Sequence, residues 1–329
     1  MSLTEFVELK GVRKKIDENF LKPFLGITEA EIVAPPRTKH YMLVGTAFDY
    51  LFRFWLEANN ENVKTWKWLA HDALLSLIGR SWLEIEKKGY FFLYIERNDI
   101  YGTQKVYENL SGFLQEPWET IDFEDYHNSA LFRKVCGAIV KAESAYKRYM
   151  QNGDLSDKLI EASIDLAKID GIFRSGYGIL DDFREYDNED IKDLKKLVEI
   201  IPKELFTKAN RYLLNPTFGK ASMLVGGADC DIIMDYTLID IKTTKDLKLR
   251  IHDWRQLVGY CVLADLAKEE LDYFPRKIKE IGIYYSRYGR LWTVDASKIY
   301  NNSGYEKFKK WFKETAQSYF SGRGMRRIV

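Results

Sequence analysis

Residues 226–244 read GGADCDIIMDYTLIDIKTT, and they say more about the fold than any other stretch of this 329-residue chain. Two short β-prone runs flank Asp235-Tyr236, a spacing typical of strands joined by a tight turn. A two-residue turn there places Asp231 directly across from Asp240 in an antiparallel pair. The stretch therefore predicts a β-hairpin that carries two opposed carboxylates.

The second predicted strand contains Asp240-Ile241-Lys242, whose acid and lysine share one face because successive strand side chains alternate. Other acid-x-lysine triplets occur in the chain, so the triplet alone is weak. Those beginning at Asp190 and Asp193 lie in a polar helical pattern, where charged side chains are expected to be solvated. Strand context separates Asp240-Ile241-Lys242 from them.

Two aspartates that face each other repel, so they require a compensating cation. Oxygen ligands favour Mg²⁺ or Mn²⁺. Lys242 would then orient or help deprotonate an attacking water, or stabilise the pentacovalent phosphate of phosphodiester hydrolysis. Asp229 shares the strand face of Asp231, and a bulge would exchange the two, so Asp231 is the preferred ligand with Asp229 in reserve. The alternative is a hairpin whose charges simply face solvent.

Downstream, residues 256–260 read QLVGY and place Gln256 and Tyr260 one helical turn apart on one face. With the hairpin, this stretch resembles the core of the PD-(D/E)xK nuclease superfamily, particularly its RecB-like branch with a QxxxY motif, which includes CRISPR-associated exonucleases. The resemblance covers residues 226–260. It implies an α/β fold with a restriction-endonuclease-like core, a small mixed sheet flanked by helices.

The same resemblance assigns roles by position. Three hairpin residues would bind the metal, the last through its backbone carbonyl: Asp231, Asp240 and Ile241. Lys242 would be catalytic, and Gln256 and Tyr260 would lie near DNA and the site.

RecB-like members often carry a G-x-x-x-H motif in a preceding helix, and its histidine contacts the metal. Residues 45–49, GTAFD, have Asp49 at that position, so Asp49 would replace the histidine as a ligand. The alternative is that Asp49 pairs with Arg53 one turn later. Glu57 is a weaker candidate for the family's helical acid. Three dispersed cysteines are too few for an iron–sulfur cluster.

Basic residues cluster between the catalytic strand and the QLVGY helix, where a phosphate backbone could be held without reading its sequence. The predicted nucleic-acid contacts are Lys245, Lys248, Arg250 and Arg255. The alternative is a solvated connector. Trp254 and residues 284–288, YYSRY, could stack on bases, or pack in the core. The basic tail, residues 323–327, would add non-specific attraction.

Overall charge is uninformative about a nucleic-acid partner, because 50 Lys and Arg balance 49 Asp and Glu. Residues 1–215 are predicted to be mainly helical and to contribute the first core helix at about 45–57. Residues 216–329 would form the nuclease core and a C-terminal helix. We expect one compact unit, because no Pro/Gly/Ser-rich linker separates the two regions. Further predicted helices span 63–77, 131–150, 156–173, 189–201, 253–268 and 305–320, and further strands span 278–286 and 291–294.

Several classes are disfavoured. The spacing of the histidines does not suggest a zinc hydrolase. The sequence also lacks a glycine-rich phosphate-binding motif typical of ATP-using proteins, so a helicase would be a separate partner. The sequence contains no membrane-spanning run and no signal-peptide core, which predicts a cytoplasmic protein. The expected function is a Mg²⁺- or Mn²⁺-dependent deoxyribonuclease acting on single- or double-stranded DNA, with recombination, repair, phage or defence partners. The alternatives are a non-catalytic DNA-binding or protein-interaction module and a sequence-specific endonuclease.

Overall fold

A computed structural model describes residues 2–26, 30–65, 68, 70, 126–175 and 185–321. These residues form an α/β protein whose strands make one six-stranded mixed sheet. The chain divides into two compact units. The first unit takes its described residues from Met1–Pro36, Asn59–Trp66 and Glu199–Ile328, and the second from Arg37–Ala58 and Lys67–Val198.

The sheet belongs to the first unit, and its strands lie side by side in chain order. They are β1 (Val63–Thr65), β2 (Tyr212–Leu214), β3 (Ile232–Met234), β4 (Thr237–Lys242), β5 (Glu280–Tyr285) and β6 (Arg290–Asp295). The pairs β1/β2 and β4/β5 are parallel, and the other neighbours are antiparallel.

The described residues form eleven α-helices. They are α1 (Leu3–Val7), α2 (Lys10–Asn19), α3 (Tyr41–Asn59), α4 (Tyr126–Asn152), α5 (Asp157–Ser175), α6 (Asn188–Glu199), α7 (Lys203–Phe206), α8 (Lys220–Leu224), α9 (Ile251–Ala267), α10 (Ser297–Tyr300) and α11 (Tyr305–Ser321). No helix in these described ranges is both long enough and apolar enough to span a membrane.

The predicted hairpin is confirmed. Ile232 pairs with Ile239 and Met234 pairs with Thr237, so a two-residue turn joins β3 to β4. Asp235 takes the left-handed backbone conformation, with φ of 48°, which aspartate tolerates better than most residues. Continued by one position, this register places Asp231 opposite Asp240.

The core of the first unit lies between one face of the sheet and helices α1, α2, α9 and α11. Leu238 of β4 and Ile283 of β5 join a buried cluster with side chains of these four helices. Helix α1 approaches α9 closely at Gly259, where a Cβ atom would lie 2.9 Å from Cδ1 of Leu3. The N-terminal helices therefore belong to the same unit as the sheet, and the unit boundaries differ from the predicted division at residues 215 and 216.

Two secondary-structure predictions need correction. Residues 63–65 form β1 and do not start a helix, and most of the rest of the predicted helix at 63–77 lies outside the described residues. The β-prone pattern of the hairpin extends back to Ala221 and predicted an extended chain there, but residues 220–224 form a short helix. Strand β2, before Pro216, was not predicted, because three residues buried on both faces show no alternation. The remaining predicted helices and strands are present with ends shifted by a few residues.

The second unit contains helices α3 to α6. Helix α3 is buried around most of its circumference, as its sequence predicts, and α4 packs against α5. Inside this unit the Tyr50 hydroxyl donates a hydrogen bond to Asp170 at 2.7 Å. Asp190 and Asp193 are buried, which corrects the expectation that these triplet acids are solvated. They accept hydrogen bonds from the segment that precedes α3. The sequence pattern did not predict this contact.

Candidate active site

The ammonium group of Lys242 is the centre of a polar network between β4 and α9. Its Nζ atom lies 2.8 Å from Oδ2 of Asp240 and donates a hydrogen bond to Oε1 of Gln256 at 3.2 Å. The Gln256 amide in turn donates to the hydroxyl of Tyr260 at 2.8 Å. Four residues that the sequence assigned to one site are therefore brought together: Asp240, Lys242, Gln256 and Tyr260.

Strand alternation and helix periodicity explain this convergence. Leu238 packs against α9 in the core, so Asp240 and Lys242, two and four positions further along β4, face α9 as well. Gln256 and Tyr260 are four residues apart on α9 and share the face that meets them. The predicted faces of the strand and of the QLVGY helix are both observed.

Asp253 joins this network, although its role was not predicted from the sequence. Its Oδ1 atom lies 3.7 Å from Nζ of Lys242, and its Oδ2 atom accepts a hydrogen bond from the backbone of Arg250 at 3.1 Å. The second contact satisfies a backbone N–H group at the start of α9. The spacing of Asp253 three residues after Arg250 is a capping signal, and it could have placed this carboxylate near Gln256.

Two further carboxylates lie on the approach to the hairpin. Oδ2 of Asp231 accepts a hydrogen bond from the backbone N–H of Ile241 at 2.6 Å, which holds Asp231 beside the Asp240-Ile241-Lys242 triplet. Asp229 forms an isolated antiparallel bridge with Thr217. Asp231 thus makes a direct hydrogen bond to the triplet, and which of the two acids binds metal stays a prediction.

The pKa of the Tyr260 hydroxyl shows that several carboxylates lie close to it. Burial raises the pKa of its hydroxyl well above the ordinary value, and the negative charges of Asp240, Asp231 and Asp229 raise it further. The same three carboxylates, after burial, raise the pKa of the neighbouring Cys230 thiol. Three acids therefore act on one buried region, the arrangement that a bound cation would stabilise.

Lys242 is held in its charged form by its neighbours. Burial alone would lower its pKa, but Asp240, followed by Asp253 and Asp231, outweighs that effect and raises the pKa above the ordinary range. A protonated ammonium donates hydrogen bonds and stabilises negative charge, but it does not accept a proton. As a hydrogen-bond donor in these contacts, Lys242 suits the orienting and charge-stabilising roles.

Oxygen donors suitable for a hard divalent cation are present at the hairpin. Asp231 and Asp240 each offer a carboxylate, and Ile241, between Asp240 and Lys242, offers a backbone carbonyl. Asp240 is 3% exposed, so its charge is largely removed from water. The hydrogen bond from the Ile241 N–H to Asp231 and the ion pair of Asp240 with Lys242 hold both carboxylates beside the triplet.

Asp49 belongs to the second unit. There its Oδ2 atom lies 2.7 Å from Nη2 of Arg53, the pairing named as the alternative to a metal-binding role. The guanidinium of Arg53 also stacks over the ring of Tyr50, 4.5 Å from its centroid. Glu57 accepts a hydrogen bond from the Tyr146 hydroxyl, and with burial this interaction raises the pKa of that tyrosine. Metal ligation by Asp49 stays a prediction.

The predicted basic surface divides into two parts. Lys245, Lys248 and Arg250 are exposed, and only Arg250 has a side-chain ion pair among the described contacts, to Asp246 at 3.0 Å. Arg255 is 9% exposed, and its guanidinium pairs with Asp17 at 2.5 Å and with Glu8 at 2.8 Å. Arg255 therefore joins α9 to the N-terminal helices and does not present its charge to a phosphate.

The aromatic residues proposed to stack on bases lie in the core. Trp254 is buried and its ring N–H donates to the carbonyl of Phe20 at 3.0 Å. Tyr284, Tyr285 and Tyr288 are buried as well. The core alternative is correct for these residues, because the helices and loops packed on β5 cover them. The basic tail at 323–327 lies outside the described residues.

A second group of potential metal ligands occurs in the second unit. Ligand atoms of His40, Asp187 and Asp190 all lie within 4.8 Å of one another. Nδ1 of His40 lies 2.8 Å from Oδ2 of Asp190, whose other oxygen accepts from the Thr38 hydroxyl at 2.6 Å. These contacts attach the segment before α3 to the start of α6. Some 150 residues separate His40 from Asp190, so no local spacing could reveal the group.

Comparison of the chain with family models, curated proteins and solved structures finds no match. Assignment of a function therefore depends on the chemistry of the site itself.

Proposed function

We propose that this protein is a divalent-metal-dependent nuclease that hydrolyses DNA phosphodiester bonds at Asp231, Asp240 and Lys242. The observation that carries the proposal is the position of Lys242, whose ammonium lies between the Asp240 carboxylate and the Gln256 amide. A buried carboxylate, a fixed cation and a polar helix face are thus combined within a few ångströms. This combination suits a reaction in which negative charge develops on phosphate.

Asp231, Asp240 and the Ile241 carbonyl would hold Mg²⁺ or Mn²⁺. Such an ion, when bound, polarises a phosphoryl oxygen and lowers the pKa of a coordinated water. The three carboxylates whose charge acts on Tyr260 provide the negative field that favours a divalent cation at this end of the hairpin. Asp229 would contribute to that field from the approach to β3.

Lys242 would place its positive charge beside the scissile phosphate and stabilise the extra negative charge of the transition state. Gln256 accepts a hydrogen bond from Lys242, and Tyr260 accepts one from Gln256, so the two α9 residues hold the ammonium in place. In this scheme they are positioning residues. Asp240, Gln256 and Tyr260 are buried, and their low exposure to water strengthens the electrostatic interactions with Lys242.

The resemblance to the RecB-like branch of the PD-(D/E)xK superfamily supports the same proposal. On this basis the six-stranded mixed sheet would be a restriction-endonuclease-like core, and the protein would process DNA ends in recombination, repair, phage or defence reactions. It would act in the cytoplasm, and any helicase would be a separate partner. Exposed Lys245, Lys248 and Arg250 would hold the phosphate backbone outside the network.

The proposal is tested by incubating end-labelled single- and double-stranded DNA with the full chain in Mg²⁺, in Mn²⁺ and in excess chelator. Cleavage that requires either metal and is lost in Lys242→Met supports it, provided that the variant keeps the wild-type melting temperature. A folded wild-type protein that binds DNA but leaves it intact with both metals would instead be a non-catalytic DNA-binding module. Discrete fragments from a long duplex would indicate a sequence-specific endonuclease.

A further inference from the structure

Two apolar side chains next to the basic connector are unusually exposed. Leu21 is 87% exposed and Phe24 is 78% exposed. Within the described part of the chain, only Met42 and Met223 among large hydrophobic residues are comparably open to solvent. Isolated exposed apolar residues are common, but here a leucine and an aromatic residue of one short segment are both open to solvent. Leu21 and Phe24 are together called the apolar patch.

The segment that carries them is anchored at several points. Phe20 is buried, its carbonyl accepts the hydrogen bond from Trp254, and its ring packs against Phe308 at 4.8 Å between centroids. Lys22 donates a hydrogen bond from Nζ to the carbonyl of Leu249 at 2.8 Å. Leu25 packs against the core. Because the residues on both sides point inward, the outward direction of Leu21 and Phe24 is imposed by the fold.

These anchors place the patch beside the start of α9. Leu249 immediately precedes the capping residue Arg250, and Trp254 lies in the first turns of the helix that also presents Gln256 to Lys242. The same connector carries the exposed Lys245 and Lys248. The segment that carries Leu21 and Phe24 therefore runs beside the connector that carries Lys245 and Lys248, at the start of α9.

We propose that Leu21 and Phe24 contact the bases of single-stranded nucleic acid while Lys245, Lys248 and Arg250 hold its phosphates. This inference rests on the proposed nuclease function. Single strands expose base faces that stack on an aromatic ring, whereas a duplex buries those faces, and the charge of the connector complements the phosphate backbone. Lys245 and Lys248 are both exposed in the connector, and their positive charge favours nucleic acid over a protein partner.

The test measures binding of the full chain to fluorescent oligonucleotides in chelator, so that cleavage does not interfere. Three ligands are compared: a thymidine single strand, a duplex of the same length, and an abasic strand that keeps the phosphates but lacks bases. We expect Phe24→Ala to raise the Kd for the thymidine strand about tenfold, as loss of one stacked base would. The Kd for the abasic strand should stay unchanged, and Phe24→Trp should restore binding.

Two controls distinguish contacts to the bases from contacts to the phosphates. Met223→Ala removes a side chain that is 71% exposed at another place in the same unit, and it should leave all three Kd values unchanged. The double variant Lys245→Ala/Lys248→Ala should weaken binding to the thymidine and abasic strands alike. Since all substituted side chains are exposed, each variant is expected to melt at the wild-type temperature.

Three results would overturn the inference. Phe24→Ala could leave the Kd for the thymidine strand unchanged, it could raise the Kd values for the thymidine and abasic strands equally, or the wild type could bind no single strand. It is also overturned if Phe24→Ala converts a dimer into a monomer without changing the Kd for DNA, since the patch would then bind a second copy. The nuclease proposal fails by a different result, in which the wild-type chain leaves DNA intact in Mg²⁺ and in Mn²⁺. The Kd values for oligonucleotides, which are measured in chelator, do not depend on that result.

Discussion

Nζ of Lys242 lies 2.8 Å from Oδ2 of Asp240, two positions earlier on the same face of β4. Because Asp240 is almost fully buried, its negative charge would be strongly disfavoured without a nearby cation. Lys242 supplies that cation, and the acids around it keep its own pKa raised against the opposing effect of burial. The pair therefore combines a buried carboxylate with a charged hydrogen-bond donor, the combination on which the proposed phosphodiester hydrolysis depends.

Arg255 and Arg250 should have opposite mutational effects. Arg255→Ala removes the ion pairs to Asp17 and Glu8 and should lower the free energy of unfolding by about 1–3 kcal/mol, because those partners are only partly screened by solvent. Its Kd for DNA should not change. Arg250→Ala should weaken DNA binding and cost under about 1 kcal/mol of stability, since its pair with Asp246 is exposed.

Urea unfolding and DNA-binding titrations on the two arginine variants check this prediction. The reverse pattern, with Arg255→Ala weakening DNA binding and leaving stability intact, would show that Arg255 faces nucleic acid as the sequence suggested.

Gly282 is expected to be intolerant of any side chain. A Cβ atom there would lie 2.3 Å from the backbone oxygen of Trp292 on the neighbouring strand, so β5 and β6 would have to separate. We expect Gly282→Ala to destabilise the protein by about 3 kcal/mol or more. Gly11→Ala in α2 is the matched control, because its added methyl group meets no atom within 4 Å. That change should stabilise by about 0.4–1 kcal/mol, and equal melting temperatures for both variants would refute the β5/β6 register.

Glu143 makes stability depend on pH. Burial raises the pKa of its carboxyl from 4.5 to about 7, although Lys147 opposes the shift. Between about pH 4.5 and pH 7 the folded protein keeps a proton that the unfolded chain releases. The free energy of unfolding therefore falls as the pH rises through this range. Glu143→Gln cannot ionise and should melt above the wild type at about pH 8 but not at about pH 4. Melting curves that differ by the same amount at both pH values would contradict the assignment.

The hairpin and the shared helix face of Gln256 and Tyr260 could be predicted because both depend on local periodicity. A two-residue turn fixes which residues of β3 and β4 face each other, and a spacing of four fixes a helix face. The position of Asp231 beside the triplet follows from the turn. The position of Gln256 beside Lys242 does not follow from either rule, and it was expected from the resemblance to the RecB-like branch.

What could not be predicted depends on long-range packing. The amphipathic pattern of α2 shows that one side is buried, but it does not identify α9 as the partner, so the pairing of Arg255 with Asp17 was missed. Asp190 and Asp193 were expected in solvent because their sequence neighbours are polar, yet a segment some 150 residues earlier covers them. Short buried strands such as β2 show no alternation and so leave no periodic signal.

The central claim is tested most directly by the rate of Mn²⁺-dependent DNA cleavage in Asp240→Asn beside Asp246→Asn. Both changes remove the acid of an acid-x-lysine triplet, but Asp240 is buried against Lys242 whereas Asp246 is partly exposed and pairs with Arg250. We predict that Asp240→Asn lowers the rate by about 10²-fold or more, while Asp246→Asn stays within about threefold of the wild type. A folded Asp240→Asn variant that cleaves DNA at the wild-type rate would contradict the proposed active site.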